Sequence, residues 1–356
     1  TEDTPTVVAT LPVKGSVRRM LAANDTLIAV TLEGGIVAYG APGNPVPLRE
    51  TRGAAKSAPF GDDVLAQARA LIDATGENAG YALFFGVGDG SLLRAVVQES
   101  NFHCVGIDPD PEKVAALRQE FDALGLYGRR IALHLGDPVS FDAPDYIANL
   151  IVVDPSVAAA YTQGAFPETL FQSVRPYGGV LWYGLADSDA LEAAFPGKVA
   201  AGAGGHWVRR VGPLDGAGTW THQYGNIANT LKSDDSLVKL PLGVLWFGGS
   251  SHLDVLPRHA HGPSELVGGG RLFIEGMDSI SARDVYTGRV LWTRRFENMD
   301  TYGIFYTYEF EGDLLETAYS SQDHYPGANA RGTNFVMAED ALYTVMGHEC
   351  YALDPA

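Results

Sequence analysis

The 356 residues carry a formal net charge of -18, with 46% hydrophobic and 19% charged residues. That apolar share supports full-sized cores and excludes a disordered chain, and the length allows two domains. The acidity excludes a general nucleic-acid binder, because phosphate backbones are held by basic patches.

No apolar run approaches the roughly 20 residues of a membrane-spanning helix. The chain begins at Thr1 with no signal peptide, and is expected to be processed, trimmed or a piece of something longer. Cys104 and Cys350 make no disulfide framework, and Cys104 falls in an expected buried strand.

Residues 11–40 read as short strands, with a Gly-Gly hairpin turn inside Asp25–Tyr39. Asp62 or Asp63 is placed to cap a helix carrying Val64, Leu65, Ala68, Leu71 and Ile72, ended near Gly76. Strands at 81–85, 103–107, 130–135, 149–153 and 180–184 then alternate with helices at 91–99, 111–124 and 166–174. A short helix at 188–195 and a strand at Trp207–Val211 close this stretch. Alternation of this kind builds a parallel sheet with helices on both faces.

The Asp25–Tyr39 phrase recurs at Gly270–Asp284 and again at Asp340–Asp354, which is the mark of a repeat. The middle copy continues through Asp284, Thr287 and Gly288 to a strand ending on Trp292. This D-x-x-T-G-x-x-x-W phrase resembles the blade repeat of pyrroloquinoline-quinone (PQQ)-type β-propellers. The same resemblance covers Trp220–Thr230, Ser233, Asp235 and an expected strand at Leu242–Trp246. Three hairpins cannot close a ring that typically needs ~4–8 blades. Further blades are therefore expected from another chain or a missing segment.

The resulting fold class is multidomain β and α/β, a partial PQQ-like propeller interrupted by a Rossmann-like parallel domain. The boundaries fall at 1–57, 58–212 and 213–356.

The strand ending at Phe85 runs into Gly86-Val-Gly88-Asp89-Gly90, and a second strand ends on Asp108, 22 residues after Gly86. Such glycines permit a tight turn and close backbone approach to a ligand at a helix N-terminus. An acid at the second strand end is placed to accept ribose hydroxyls. The loop reads G-x-G-x-G, with Ser91 where a dinucleotide enzyme needs its third glycine, which argues against NAD.

The order of features over 58–185 instead resembles the class I S-adenosylmethionine (SAM)-dependent methyltransferases. Gly136-Asp137, Asp154-Pro155 and Arg175-Pro-Tyr-Gly178-Gly179 complete the match. Gly88-Asp89-Gly90 with Leu93-Arg94 is similar to the spermidine-synthase branch. The resemblance implies cofactor contacts from Gly86, Gly88, Asp89 and Gly90, with Asp108 on the ribose and Asp137 on the adenine. Asp154 is the candidate catalytic residue, touching or aligning the acceptor. It lacks the Pro-Pro-aromatic ending of amino-group methyltransferases, which weighs against nitrogen chemistry.

His259-Ala-His261 would share one strand face, but no third ligand is visible, so turn or packing roles are expected for the histidines. The aromatic run Tyr302, Phe305, Tyr306, Tyr308 and Phe310 is expected to be strand packing. PQQ is not expected within this chain, which lacks the adjacent cysteine pair of PQQ dehydrogenases. The resemblances imply a SAM-dependent methyltransferase domain carried on a PQQ-like propeller. The alternatives are a non-catalytic propeller scaffold with a degenerate Rossmann domain, or part of a quinoprotein redox enzyme. Compartment divides the first two, since the propeller resemblance implies export and use of SAM the cytoplasm.

Overall fold

The computed structural model describes residues 7–40, 60–137, 140–158, 166–247, 255, 264–276, 278–297, 299, 335–338 and 340–356. The chain divides into two compact units, residues 1–52 and 53–356. In the first, β1 (Val17–Ala23), β2 (Thr26–Thr31) and β3 (Ile36–Tyr39) form a three-stranded antiparallel sheet. Its Gly-Gly turn closes through Gly34 N–H to Thr31 O at 3.0 Å and Gly35 N–H to Thr31 Oγ1 at 3.0 Å.

The second unit opens with α1 (Asp62–Thr75), β4 (Ala79–Phe85), α2 (Ser91–Glu99), β5 (Asn101–Asp108), α3 (Pro111–Ala123) and β6 (Ile131–Leu135). It continues through β7 (Ala148–Val153), α4 (Pro155–Ala158), α5 (Phe166–Gln172), β8 (Val180–Tyr183) and α6 (Asp189–Ala194). Then come β9 (Val199–Gly202) and β10 (Gly205–Arg209).

These strands make one sheet in the order β6-β5-β4-β7-β8-β10-β9. The first five are parallel, and β10 runs antiparallel to both β8 and β9. The order reverses between β4 and β7, so a crevice is expected outside the carboxyl ends of those strands.

Alternation along the strands feeds two cores. Phe84 and Trp182 bury with Leu71, Leu93 and Phe121 on the α1–α3 side. Phe85 and Tyr183 bury with Ile151, Leu170 and Leu191 on the opposite face. Each fully buried large apolar side chain is worth roughly 1.5–3 kcal/mol, so the two layers fix the strand ends firmly.

The helix starts differ in cause. Asp110 caps α3, accepting from Glu112 N–H (2.9 Å) and Lys113 N–H (3.1 Å), with Pro111 in the first turn. At α1 the cap position is Gly61 and no side chain caps it. Asp62 and Asp63 therefore do not cap; they lie in the first turn, where their charge favours the helix dipole. Gly76 ends α1 in the left-handed conformation, at φ 70°.

Beyond the parallel sheet lie β11 (Leu266–Gly268), β12 (Arg271–Gly276), β13 (Ser279–Asp284) and β14 (Val290–Arg295), a four-stranded antiparallel meander. β15 (Phe335–Met337), β16 (Leu342–Met346) and β17 (Glu349–Leu353) form a separate three-stranded sheet. Phe273, Ile280, Phe335 and Leu342 join the two in one core. Trp220 knits them further by exchanging 2.8 Å bonds with Val267, while Thr221 O accepts from Met337 N–H.

All three recurring phrases are antiparallel hairpins: β2–β3, β12–β13 and β16–β17. The D-x-x-T-G phrase is a capped turn. Asp284 Oδ1 accepts from Tyr286 N–H (2.8 Å) and Thr287 N–H (3.2 Å), and Gly288 supplies φ 69°. The expected propeller is not seen: among the described residues the antiparallel strands form sheets of three, four and three, with no closed ring.

Leu242–Trp246 is not a strand. Leu242 is 68% and Val244 79% exposed, and among the described residues no strand pairs with this segment. Trp246 is anchored through its Nε1–H, which donates to Val285 O at 2.8 Å. Strand β9 was not anticipated, and the expected strand at Trp207–Val211 lies two residues earlier, as β10.

Candidate functional site

The glycine loop joins β4 to α2 at the point where the strand order reverses. Gly86, Gly88 and Gly90 have φ of 75°, 52° and 80°, a conformation that L side chains rarely adopt. They face different surroundings. A Cβ on Gly86 would meet Val157 Cγ2 at 2.7 Å, and one on Gly88 would meet Asp154 Oδ2 at 3.0 Å. A Cβ on Gly90 would lie 2.7 Å from Leu117 and 3.1 Å from Phe121.

Gly90 thus permits α3 to pack against the loop, the close-packing role that sequence reasoning looked for at position 91. Gly86 and Gly88 face the β7 end of the crevice. Asp89 Oδ1 accepts from Ser91 N–H (2.9 Å) and Ser91 Oγ–H (2.5 Å), which holds its carboxyl below the usual range and secures the α2 start.

Each strand end is pinned to its neighbour. Gly86 N–H donates to Ile107 O (2.8 Å), Asp154 N–H to Phe85 O (2.9 Å) and Gly136 N–H to Asp108 O (3.1 Å). These bonds carry the parallel ladders one step past the strands. They bring Gly86–Gly90, Asp108 and Asp154 together at the carboxyl ends of β4, β5 and β7, where the reversal of strand order leads one to expect a crevice.

Asp108 ends β5 and is only 1% exposed. Its Oδ2 accepts from Val87 N–H (3.1 Å) and Lys113 Nζ (3.0 Å), and its Oδ1 accepts from Asp110 N–H (3.0 Å). Hydrogen bonds to a charged group contribute roughly 1.5–3 kcal/mol each, so this carboxylate ties the loop to the start of α3. Sequence reasoning missed Val87 and Lys113. The available signal was spacing: Asp110-Pro111 starts a helix whose first turn returns Lys113 to Asp108.

Asp137 follows Gly136 and is exposed, and its carbonyl accepts from Phe141 N–H (3.0 Å). Asp154 is half-buried, with Oδ1 accepting from Ser156 N–H (2.8 Å) and Ser156 Oγ–H (2.5 Å). That arrangement leaves Oδ2 toward Gly88. Phe85 lies in the core beneath, edge-on to Phe141 with ring centroids 6.5 Å apart.

The β11–β14 meander docks at the opposite end of the parallel sheet. Arg289 Nη2 donates to Ala79 O (3.3 Å) at the start of β4. Arg175, whose N–H donates to Ala148 O at the start of β7, forms a buried ion pair with Asp284. Tyr177, at φ 62°, lays its ring against Gly270, and Tyr146 meets Tyr286 edge-on at 5.7 Å. Burial pushes the Tyr286 phenol up to about 12. Arg175-Pro-Tyr-Gly-Gly is therefore a docking segment as well as the lead into β8.

His252, His259, His261 and His324 lie outside the described residues, as does the 302–310 aromatic run. His222 Nδ1 pairs with Thr221 Oγ1 at 2.9 Å. Among the described residues no group of three His, Cys, Asp or Glu is arranged to hold a metal. Asn226 and Asp235 of the blade-like phrase satisfy nearby backbone N–H groups.

No protein-family model and no curated protein matches the chain. Among solved structures, it is similar to a SAM-dependent methyltransferase from Aquifex aeolicus, at 16% identity over 41% of this chain and 89% of that one, TM-score 0.34. It is also similar to a SAM-dependent methyltransferase from Thiobacillus denitrificans in complex with S-adenosyl-L-homocysteine, at 22% identity over 35% of this chain and 49% of that one, TM-score 0.29. A SAM-dependent methyltransferase from Geobacter sulfurreducens, in complex with the same molecule, matches at 22% identity over 35% and 48%, TM-score 0.29.

Proposed function

We propose that the crevice between β4, β5 and β7 binds SAM and that the chain passes its methyl group to an acceptor. The observation that carries this reading is the convergence of Gly86, Gly88, Asp108 and Asp154 at the reversal of strand order. The residues fit such a group. The left-handed glycines turn the backbone tightly at the end of β4, Asp108 offers a carboxylate to a ribose diol, and Asp137 lies two residues beyond the β6 end.

When bound, SAM supplies an electrophilic methyl group on a sulfonium sulfur. The chain's own contribution is alignment. The loop backbone would hold the methionine end, Asp108 and Asp137 the nucleoside, and Asp154 Oδ2 would orient the acceptor across the crevice. The absence of a Pro-Pro-aromatic ending after Asp154 favours an acceptor atom other than nitrogen.

A second reading is a propeller scaffold whose α/β domain no longer binds a ligand. The internal satisfaction of Asp108 by three donors favours it. In either case the meander and the hairpins would serve as blades, joined by others from elsewhere, that organise a partner. Calorimetric titration with SAM and with S-adenosylhomocysteine separates the two. Micromolar binding that is lost in Asp108→Ala is the expected result. No heat and no thermal shift at millimolar ligand would overturn the cofactor reading.

A further inference from the structure

An ionised carboxylate offers about four lone-pair sites to donors. Asp108 spends three of them: on Val87 N–H, on Asp110 N–H and on Lys113 Nζ. A vicinal diol brings two O–H donors, and only one site is open. The two backbone donors belong to the loop and to the helix start, so neither leaves without local unfolding. Lys113 differs from both. Its ammonium sits on a flexible four-carbon stem, and its side chain is 31% exposed against 1% for Asp108. Of the three donors it is therefore the one that can withdraw toward water without breaking backbone structure.

We infer that Lys113 is a built-in competitor for the nucleoside diol, resting on Asp108 in the free chain and released when ligand arrives. This rests on the SAM reading and assigns Lys113 as a positioning residue that sets affinity. The counting is specific. Releasing Lys113 raises the open sites on Asp108 from one to two, the number a diol needs. Val87 and Asp110 continue to hold the carboxylate in place. A ligand lacking a vicinal diol makes at most one bond to Asp108 and has no such cause to displace the ammonium.

The test uses the full chain, S-adenosylhomocysteine and two readouts. In the wild type, acylation of Lys113 by a water-soluble amine-reactive ester is followed by mass spectrometry, with exposed Lys14 as internal reference. Saturating ligand is expected to raise Lys113 labelling at least threefold relative to Lys14. By calorimetry, Lys113→Met is expected to bind about tenfold more tightly than wild type. The gain should vanish for the 2′-deoxy analogue.

Wild-type binding with unchanged labelling and unchanged Lys113→Met affinity would overturn the inference and leave the SAM reading standing. Failure of both proteins to bind would overturn both. Weaker binding by Lys113→Met, with Lys113 shielded by ligand, would make the lysine a direct ligand contact and would also overturn release. The labelling arm does not depend on the variant's folding.

Discussion

Arg175 and Asp284 form an ion pair whose side chains are 4% and 2% exposed, across 109 positions of sequence. One lies just ahead of β8 in the parallel sheet, the other ends β13 in the antiparallel meander. Asp284 works twice: its Oδ2 meets Arg175, and its Oδ1 holds the D-x-x-T-G turn. The residue that makes the repeat phrase recognisable is thus also the bolt between two architectures.

Asp284→Asn keeps an oxygen for the turn but strips the charge from Arg175's partner. Leaving a buried guanidinium unpaired costs about 3–5 kcal/mol. Urea melts should register that loss, and Arg175→Met should register a comparable one. The double variant is expected to lose clearly less than the sum, because neither charge is then stranded. S-adenosylhomocysteine affinity should not change in folded protein, since the junction lies at the far end of the sheet. Simple additivity would mean that the pair is not coupled.

Two glycines of like conformation should respond differently to alanine. Gly76 has φ 70° with nothing within 4 Å of a Cβ, so Gly76→Ala pays only for the left-handed backbone, roughly 1 kcal/mol. Gly90 has φ 80° and would drive a methyl into Leu117 and Phe121. Backbone and overpacking penalties together come to about 2–4 kcal/mol for Gly90→Ala. Equal melting temperatures for the two variants would refute the packing role given to Gly90.

Cys104 is buried, and desolvation pushes its thiol up to about 12, whereas Cys350 is exposed. In native protein near pH 8, iodoacetamide should modify Cys350 and leave Cys104 intact, with both reacting in denaturant. The linkage has a definite sign. The folded state keeps the Cys104 proton after an unfolded thiol has lost it. Its contribution is therefore complete below pH ~8.5 and falls as pH rises toward 12. A Cys104→Ala variant should show a shallower alkaline decline than wild type. Rapid native alkylation of Cys104 would contradict the packing described.

Much of the parallel domain was legible because its signals are local. Glycine, proline and aspartate punctuate the chain at Gly76, Gly86–Gly90 and Asp110-Pro111, and the strands between are continuous apolar runs. Strand β9 escaped because Val-Ala-Ala-Gly is short and small, with no buried position, and among the described residues it pairs with β10 alone. Leu242–Trp246 misled in the opposite direction: an apolar pattern that pairs with no strand among the described residues. The site divided in the same way. The glycines and the acid at the strand end are local features. The bonds from Val87 and Lys113 to Asp108 depend on the β5–α3 connection folding back on the loop, which spacing only hints at. The Arg175–Asp284 pair depends on two distant segments meeting and carries no local signal.

The central claim is that an adenosyl ligand sits over Gly86–Gly90 with its ribose on Asp108. A crystal structure of the full chain grown with S-adenosylhomocysteine tests it most directly. The expected density fills the crevice between β4 and β7, with both ribose hydroxyls within hydrogen-bond distance of Asp108. Ligand seated elsewhere, or an empty crevice with Asp108 still bound to Lys113 at saturating ligand, would contradict it.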